Sequence, residues 1–378
     1  MSSKDIKDDT SLVEELEKIE REYAAKEKKK FPWLWPLLGV AIIAVLVVKL
    51  VILPGANDSG NTTTGGSGGT VGPNGLINAG DSDTIGYVSD WKELAITDSA
   101  DGAIRISFPD KVDASTITVE NLYMDRSVNV TIPGITAKGY AFGTVEADTD
   151  VVKTAAYREV SGTVVVSVSV DGVWDYEVAV ENNRIVLTPY KAAEKNDLVV
   201  MIMPVGGTSL IGPDYLMSEI GITTETAKIT EFLGNENNIR YYVTNDIGSE
   251  RAFTDVIAFY LDLQPDMVIC IGLSKENDTA VYGMKAQYDD AYFDTRISNV
   301  NLAEALLRNV ATTAKDKALS IDAAVDESSL KYFACPAAYI SIGYVSNEQE
   351  LALLLKEDYL KEIAKGIVNG TLEVKENF

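Results

Sequence analysis

The chain has 378 residues, of which 46% are hydrophobic and 24% are charged, and its formal net charge is −24 at pH 7. This length suggests two or three structural units, and the hydrophobic fraction argues against a mostly disordered protein. The strong acidic balance argues against binding to nucleic acid. The chain contains no histidine, so a site that depends on a histidine ligand or a histidine base is excluded.

Residues 31–53 predict a single transmembrane helix. They are almost entirely apolar and carry one charge, Lys49, near the far end. At about 1.5 Å per residue the helix would be roughly 35 Å long, enough to cross a hydrocarbon core of about 30 Å. A cleaved signal peptide and a buried helix of a soluble domain are the alternatives, but a signal peptide has a shorter apolar core.

The flanking charges predict the orientation of this helix. Residues 1–30 form a juxtamembrane segment whose lysines cluster at 26 and 28–30, directly before the apolar run. Positive residues favour the cytoplasmic side, so we expect a single-pass membrane protein with a cytoplasmic N-terminus and its C-terminal domains outside. Residues 54–84, rich in Gly, Ser, Thr and Asn, predict a flexible linker.

Residues 85–192 predict an all-β domain. Several runs alternate apolar and polar residues, as half-buried strands do, and no helical period interrupts them. Asp171-Gly172 and Asn182-Asn183 separate such runs with residues that tolerate the positive φ of tight hairpins. The pattern favours an antiparallel β-sandwich.

Residues 196–378 change to an α/β pattern. Apolar strand-like runs alternate with helical stretches, which predicts a mostly parallel sheet with helices on both faces. The predicted strands include 198–203, 266–273 and 337–342, and the predicted helices are 219–233, 249–263, 300–314 and 348–368.

Four stretches of this region, in order, carry a family resemblance. The sequence PAAYISIGYVSN at 336–347 resembles a "PA-apolar-EIGF-x-SN" motif, and 263–272 resembles an "ADLF-x-SIH" strand. Val-Gly-Gly at 205–207 resembles an "HGG" loop, and Glu219 stands where a glutamate opens the next helix. Over residues 197–371 the chain thus resembles the catalytic domain of the zinc-dependent N-acetylmuramoyl-L-alanine amidases, and 85–192 resembles the AMIN-type β domain that precedes it in many of them.

The resemblance implies a bacterial cell-envelope protein, but it also implies a degenerate site. The family holds zinc with a histidine, a glutamate and a second histidine, and a further glutamate acts as the base. Here those positions are Val205, Glu219, Gly272 and Ser341, so only Glu219 keeps the family's residue. A catalytic zinc normally has three protein ligands. We therefore expect no metal, no other cofactor and no catalytic residue, which describes a pseudoenzyme.

Substitute chemistries have weaker support. A metal site on Cys270 and Glu219 would lack further ligands, and Ser209 or Ser341 as a nucleophile would need a lysine base that no motif supplies. The carboxylates at 289, 290 and 294 are typical of a solvated loop more than of a calcium or acid–base site. Cys270 and Cys335 lie in apolar runs and are expected to be buried thiols, with one disulfide between them as the alternative.

Two classes of function remain after hydrolysis is set aside as the least favoured. We expect the protein to act as a scaffold or regulator that contacts a protein partner in the cell envelope, because Val205 and Gly272 remove the strongest polar groups of the family's groove. The alternative is a module that binds peptidoglycan without cleaving it, in a groove lined by Gly206, Gly207, Glu219, Ser274 and Ser341. A closed cleft with exposed apolar residues would favour the first class.

Overall fold

The computed structural model of the chain describes residues 91–136, 138, 140, 143–212, 217–245, 251–290, 297–325 and 328–376. All of them belong to one compact unit. In these ranges no helix is long and apolar enough to cross a membrane. The predicted transmembrane helix at 31–53, the segment before it and the linker lie outside the described residues and stay predictions.

Residues 92–190 form ten strands in two sheets. The sheets have the orders β1-β7-β8-β5-β4 and β2-β6-β3-β10-β9. The strands are β1 (Lys92–Glu93), β2 (Ala95–Asp98), β3 (Ile104–Ser107), β4 (Thr118–Leu122), β5 (Ser127–Pro133), β6 (Thr144–Ala147), β7 (Val152–Val160), β8 (Thr163–Val170), β9 (Asp175–Glu181) and β10 (Arg184–Tyr190). All neighbours pair antiparallel except β2 and β6, which are parallel.

The two sheets share one apolar core. Fully buried side chains such as Val130 and Val166 of the first sheet pack in one cluster with Ile104 and Leu187 of the second. Between β9 and β10, Asn182 and Asn183 have φ values of 49° and 60°, the left-handed conformation that asparagine tolerates in tight hairpins. Alternating side chains therefore fill the space between two sheets, and turn residues close the hairpins.

In its described residues, the C-terminal part contains a six-stranded sheet, a short hairpin and five α-helices. The sheet order is β14-β11-β15-β18-β16-β17. Its strands are β11 (Leu198–Pro204), β14 (Ile239–Val243), β15 (Met267–Ser274), β16 (Met284–Tyr288), β17 (Ala318–Ala323) and β18 (Ala337–Tyr344); the hairpin is β12 (Leu210–Ile211) with β13 (Met217–Ser218); the helices are α1 (Glu219–Gly234), α2 (Phe253–Leu263), α3 (Asn299–Ala314), α4 (Glu348–Leu354) and α5 (Glu357–Glu376).

The sheet is mostly parallel, as the sequence predicts, but one neighbouring pair of strands is antiparallel, so the sheet is mixed. Strands β14, β11, β15 and β18 are parallel, whereas β16 runs antiparallel to β18 and β17 runs parallel to β16. The physical reason is the connection from β15 to β16, which contains no helix. A parallel return needs a crossover of a dozen or more residues, usually helical. This short connection brings β16 back in the opposite direction.

Helices cover one face of this sheet. Side chains of α1, α3 and α5 share a cluster with the buried residues of the central strands. The contact between α3 and α5 is close because α5 presents glycines to α3: a Cβ added at Gly366 would stand 2.4 Å from the Cα of Val310. Gly370 approaches the backbone of Leu306 in the same way. The small residues thus allow these two helices to pack backbone against backbone.

The other face is covered by α2 and by the β domain, where the sequence predicts helices alone. Tyr123 and Val173 of the β domain are buried in one cluster with Met201 and Tyr242 of the sheet and Phe259 of α2. The ring centroids of Tyr123 and Tyr242 are 5.0 Å apart in an edge-on arrangement. The β domain therefore supplies part of the core of the α/β domain.

A buried ion-pair network joins the same two domains. The Arg240 guanidinium of β14 donates from Nε to Asp175 Oδ2 over 2.8 Å and from Nη1 to Glu231 Oε1 over 2.8 Å. The Tyr242 hydroxyl donates to the same Asp175 carboxylate over 3.0 Å. Farther out, Arg126 of the β domain pairs with Asp262 of α2 at 2.7 Å. Each of these charged groups has an oppositely charged partner, as burial of charge requires, and the pairs of Arg240 with Asp175 and of Arg126 with Asp262 join the two domains.

Candidate functional site

The four positions that align with the family's zinc ligands and catalytic glutamate meet near the carboxyl ends of the central strands of the six-stranded sheet. Val205 directly follows β11, and its N–H donates to the Ile271 carbonyl of β15 over 2.8 Å. Gly272 of β15 lies in register with Ser341 of β18. Helix α1 begins at Glu219. The carboxyl ends of parallel strands are the usual place for sites in α/β folds.

The first loop holds the Glu219 carboxylate. The Gly207 N–H donates to Glu219 Oε2 over 3.1 Å, and the Ile220 N–H donates to the Gly207 carbonyl over 3.1 Å. A Cβ at Gly206 would stand 2.8 Å from the Cβ of Glu219, so only glycine fits this close approach. The Ser218 hydroxyl caps α1 by accepting from the Gly221 N–H. Glu219 is thereby fixed at the start of the helix.

The Tyr339 side chain fills the space above Gly272. A Cβ built on Gly272 would stand 2.1 Å from the Tyr339 hydroxyl oxygen and 2.5 Å from its ring carbon Cζ. Burial, together with the nearby Cys270 thiol and Glu219 carboxyl, raises the pKa of Tyr339 to about 12. Any side chain at position 272 would thus have to displace this phenol. Glycine inside a strand is a sequence signal for such a close approach, but it does not name the group that approaches.

The remaining polar side chains of the predicted groove bond to each other. The hydroxyls of Ser274 and Ser341 share a hydrogen bond of 2.6 Å. Ser341 is fully buried and Ser274 nearly so. The position of the family's catalytic glutamate is therefore a small buried hydroxyl that faces a neighbouring strand.

The hydrogen bond between Ser274 and Ser341 leads to a prediction about stability. We expect Ser341→Ala to lower the free energy of unfolding by about 1–3 kcal/mol, because it leaves the buried Ser274 hydroxyl without its partner. The double variant Ser274→Ala/Ser341→Ala should lose less than the sum of the two single variants. Urea denaturation of the four proteins measures this coupling. Additive losses would contradict a hydrogen bond between the two hydroxyls.

The two cysteines are free thiols. Cys270 is buried on the same strand as Gly272, and burial raises the pKa of its thiol to about 12. Within the described part of the chain, no three or more Cys, Asp or Glu side chains are grouped so that they could hold a metal ion. For the predicted loop carboxylates, Asp289 is buried and lies 3.8 Å from Lys331, Asp290 is exposed, and Asp294 lies outside the described residues.

The residues at the family positions do not fit a zinc ion. Val205 offers only an apolar side chain, and Gly272 offers none. The space where a ligand at 272 would stand contains the Tyr339 phenol. Glu219 supplies a single carboxylate, already bonded to a backbone N–H, whereas catalytic zinc needs three protein ligands.

The comparison with protein families decides the ancestry of this domain. Residues 206–373 match the family model described as N-acetylmuramoyl-L-alanine amidase. This part of the chain belongs to the amidase family. The prediction from the sequence motifs is therefore confirmed for the fold and the family of the domain. No curated protein matches the chain.

Solved amidase structures resemble the amidase domain. The catalytic domain of CwlV from Bacillus (Paenibacillus) polymyxa is 19% identical, with a TM-score of 0.40, over 47% of this chain and 97% of that chain. An amidase of Clostridium difficile 630 is 21% identical, with a TM-score of 0.43, over 47% and 96%. CwlD of Clostridioides difficile, solved in complex with the GerS lipoprotein, is 19% identical, with a TM-score of 0.41, over 46% and 97%.

Four apolar side chains near the aligned positions or on nearby segments of the amidase domain are exposed to solvent. Val205 is 37% exposed, and Leu210 is 55% exposed on β12, where it pairs with Ser218 next to Glu219. Tyr282 and Leu353 of α4 are also exposed, at 50% and 38%. We call Val205, Leu210, Tyr282 and Leu353 the apolar rim.

A buried glutamate supports the same edge of the sheet. Glu350 of α4 accepts from the N–H groups of Gly283 and Tyr344 over 3.0 and 2.8 Å. Burial and, to a lesser extent, the nearby Asp316 carboxylate raise the pKa of Glu350 to about 7, although the two N–H donors lower it. Asp316 in turn accepts from the Tyr359 hydroxyl over 2.6 Å. Sequence patterns did not indicate this group.

Glu350 makes the stability of the protein depend on pH. Its folded pKa lies above the ordinary value of 4.5, so its stabilising contribution is present below about pH 4.5 and is lost as the pH rises through about 7. We expect the free energy of unfolding to fall by about 1–3 kcal/mol between pH 5 and 7. The chain has no histidine to obscure this range.

Unfolding in urea across this pH range tests the effect. Glu350→Gln should be less stable at low pH, since one backbone donor loses its acceptor, but its stability should not vary between pH 5 and 7. Glu348→Gln, an exposed position of the same helix, should keep the wild-type slope. A slope that persists in Glu350→Gln would assign the effect to another group.

Proposed function

We propose that this chain is a non-catalytic homologue of the N-acetylmuramoyl-L-alanine amidases, anchored in the cell membrane by residues 31–53, that acts in the cell envelope as a scaffold or regulator through protein contacts. The observation that carries the proposal is the Tyr339 phenol above Gly272. It occupies the space of the second metal ligand in a chain that has no histidine. The family match supports a role connected with peptidoglycan.

Loss of the family's proton acceptor supports the absence of hydrolysis independently. Zinc amidase chemistry needs a carboxylate beside the metal to take a proton from the bound water. Ser341 cannot replace it, because a serine hydroxyl is a poor proton acceptor at neutral pH and this one is bonded to Ser274. Both halves of the reaction, activation of the water and removal of its proton, therefore lack a group.

The surface of the same edge supports protein contacts over binding of a polar glycan or peptide. The serine hydroxyls are turned inward and bonded to each other, so they cannot orient a polar ligand. What faces solvent instead is the apolar rim, in which Leu210 is 55% exposed. Exposed apolar side chains around a closed centre are typical of protein–protein interaction surfaces.

The experiment combines an activity assay with cross-linking. The purified full-length chain is incubated with peptidoglycan sacculi and added zinc, and both retention on the sacculi and release of stem peptides are measured. In parallel, membranes that contain the chain are cross-linked, and the proteins cross-linked to the wild type are compared with those cross-linked to Leu210→Lys. The control is Leu261→Lys, an exposed leucine of α2 away from the rim.

We expect no release, no retention, and a cross-linked protein that is lost in Leu210→Lys but kept in Leu261→Lys. Release of stem peptides would overturn the proposal. Retention without release would show that the chain is a non-cleaving peptidoglycan-binding module. A cross-link that neither substitution changes would remove the apolar rim from the proposal.

A further inference from the structure

The six-stranded sheet has an open edge at β17. This strand pairs with β16, and no strand of the described chain pairs with its other side. Within the described residues, its backbone N–H and C=O groups from residue 319 to 322 also make no hydrogen bond to a loop or turn. An edge strand directs every second backbone donor and acceptor away from the sheet, where another strand can pair with it.

A groove runs beside this edge, between β17 and α3. Its volume is about 490 Å³. The buried side chains of Leu307 and Ala311 and the partly buried side chain of Ile321 form its floor. Glu304 and Arg308, one helical turn apart on α3, form its outer wall. An extended strand laid along β17 would place alternate side chains over this apolar floor.

The charges of the groove argue for a basic occupant. Glu304 and Asp316 line it, and Asp322 is exposed on the edge strand itself. The positive charge of Arg308 is offset by its ion pair with Glu373. A second copy of this chain would bring the same carboxylates face to face, on molecules of net charge −24. Like charges disfavour that pairing, whereas lysine or arginine side chains would find carboxylates close by.

We propose that β17 and α3 form a docking groove for an extended segment of a partner protein in which apolar and basic residues alternate. The segment adds to the sheet as a seventh strand along β17. Its apolar side chains lie on Leu307, Ala311 and Ile321. Its basic side chains point to the opposite face of the sheet, beside the exposed Asp322, and Glu304 and Asp316 add negative charge near the segment. This inference rests on the proposed function only in that both expect a protein partner, since the groove is separate from the apolar rim.

A peptide-binding experiment with the purified full-length chain tests the groove. The probe is a fluorescent octapeptide of alternating Lys and Val, and binding is followed by fluorescence anisotropy. One control peptide has the same sequence with N-methyl groups on the amides of one edge, and another has Glu in place of Lys. Hydrogen exchange of the chain is measured with and without the probe.

We expect the N-methylated peptide to bind more than about tenfold more weakly, because it keeps the charge but loses its backbone donors. The acidic peptide should not bind. The amides of residues 318–323 should exchange more slowly with the probe. Glu304→Lys should weaken binding about fivefold, whereas the matched exposed substitution Glu236→Lys should not.

Three results would contradict the proposed docking groove. The first is that the N-methylated peptide binds as tightly as the probe, and the second is that Glu236→Lys weakens binding as much as Glu304→Lys. The third is that the probe slows hydrogen exchange in a segment other than β17. If the chain forms a dimer and Ile321→Lys abolishes it, the edge strand β17 pairs with a second copy of the chain, and the proposal of a basic partner segment is wrong. Release of stem peptides would reject the proposed function alone, because it is measured without the probe.

Discussion

Arg240→Met is expected to lower the free energy of unfolding by about 3–5 kcal/mol. The side chains of Arg240, Asp175 and Glu231 are 14%, 8% and 16% exposed, so the network is largely shielded from water. Removal of the guanidinium leaves the Asp175 carboxylate without its ion-pair partner and leaves Glu231 with only the longer pair to Lys228, at 3.6 Å. The loss should be measured by urea denaturation, and it should affect both domains, since Asp175 belongs to one and Arg240 to the other.

The exposed pair of Arg308 and Glu373 provides a matched control. Their side chains are 57% and 37% exposed, and exposed pairs contribute about 0–1 kcal/mol, so Arg308→Met should have a small effect. Adding Asp175→Asn to Arg240→Met should recover part of the loss, because it removes one uncompensated charge. Equal losses for Arg240→Met and Arg308→Met would contradict the assignment of the inter-domain network as a stabilising contact.

Histidines introduced at 205 and 272 are expected to bind zinc poorly until Tyr339 is also replaced. Val205→His/Gly272→His supplies, with Glu219, the three ligands that a zinc site requires. However, a side chain at 272 meets the Tyr339 hydroxyl within 2.1 Å. Displacing a packed side chain costs about 1–3 kcal/mol, so adding Tyr339→Ala should tighten zinc binding about 10- to 100-fold.

Competition with a chromophoric zinc chelator measures this difference without any activity assay. Val205→His/Tyr339→Ala serves as the control, because it removes the phenol but provides only two ligands. It should bind zinc more weakly than the triple variant. If the double histidine variant bound zinc as tightly as the triple variant, Tyr339 would not be an obstacle to the metal.

Much of the α/β domain could be predicted from the sequence because its motifs are local. The stretch at 336–347 combines a buried strand with a capped helix, and the structure has both: β18, then Asn347, whose side chain caps α4. The direction of β16 could not be predicted in this way. The motifs do not include this strand, whose direction follows from its helix-free connection to β15 and whose place beside β18 depends on residues far apart along the chain.

The candidate site, too, could be predicted from the sequence only in part. The motifs aligned Val205, Glu219, Gly272 and Ser341, and the structure brings all four to one edge of the sheet. The role of Tyr339 was missed, since a tyrosine in an apolar strand is usually a core residue. Only the pairing of β15 with β18 shows that its phenol crosses to the neighbouring strand above Gly272.

The sequence by itself determined that a histidine-based zinc site is absent, because composition does not depend on the fold. It also determined the family of the C-terminal domain, because motif order and spacing are properties of the chain. Only the tertiary structure decided what stands in the place of the metal ligand, how the Ser274 and Ser341 hydroxyls are satisfied, and that the β domain completes the core on one face of the sheet through Tyr123. These contacts join residues far apart in sequence, so they exist only once the strands have paired and the domains have packed.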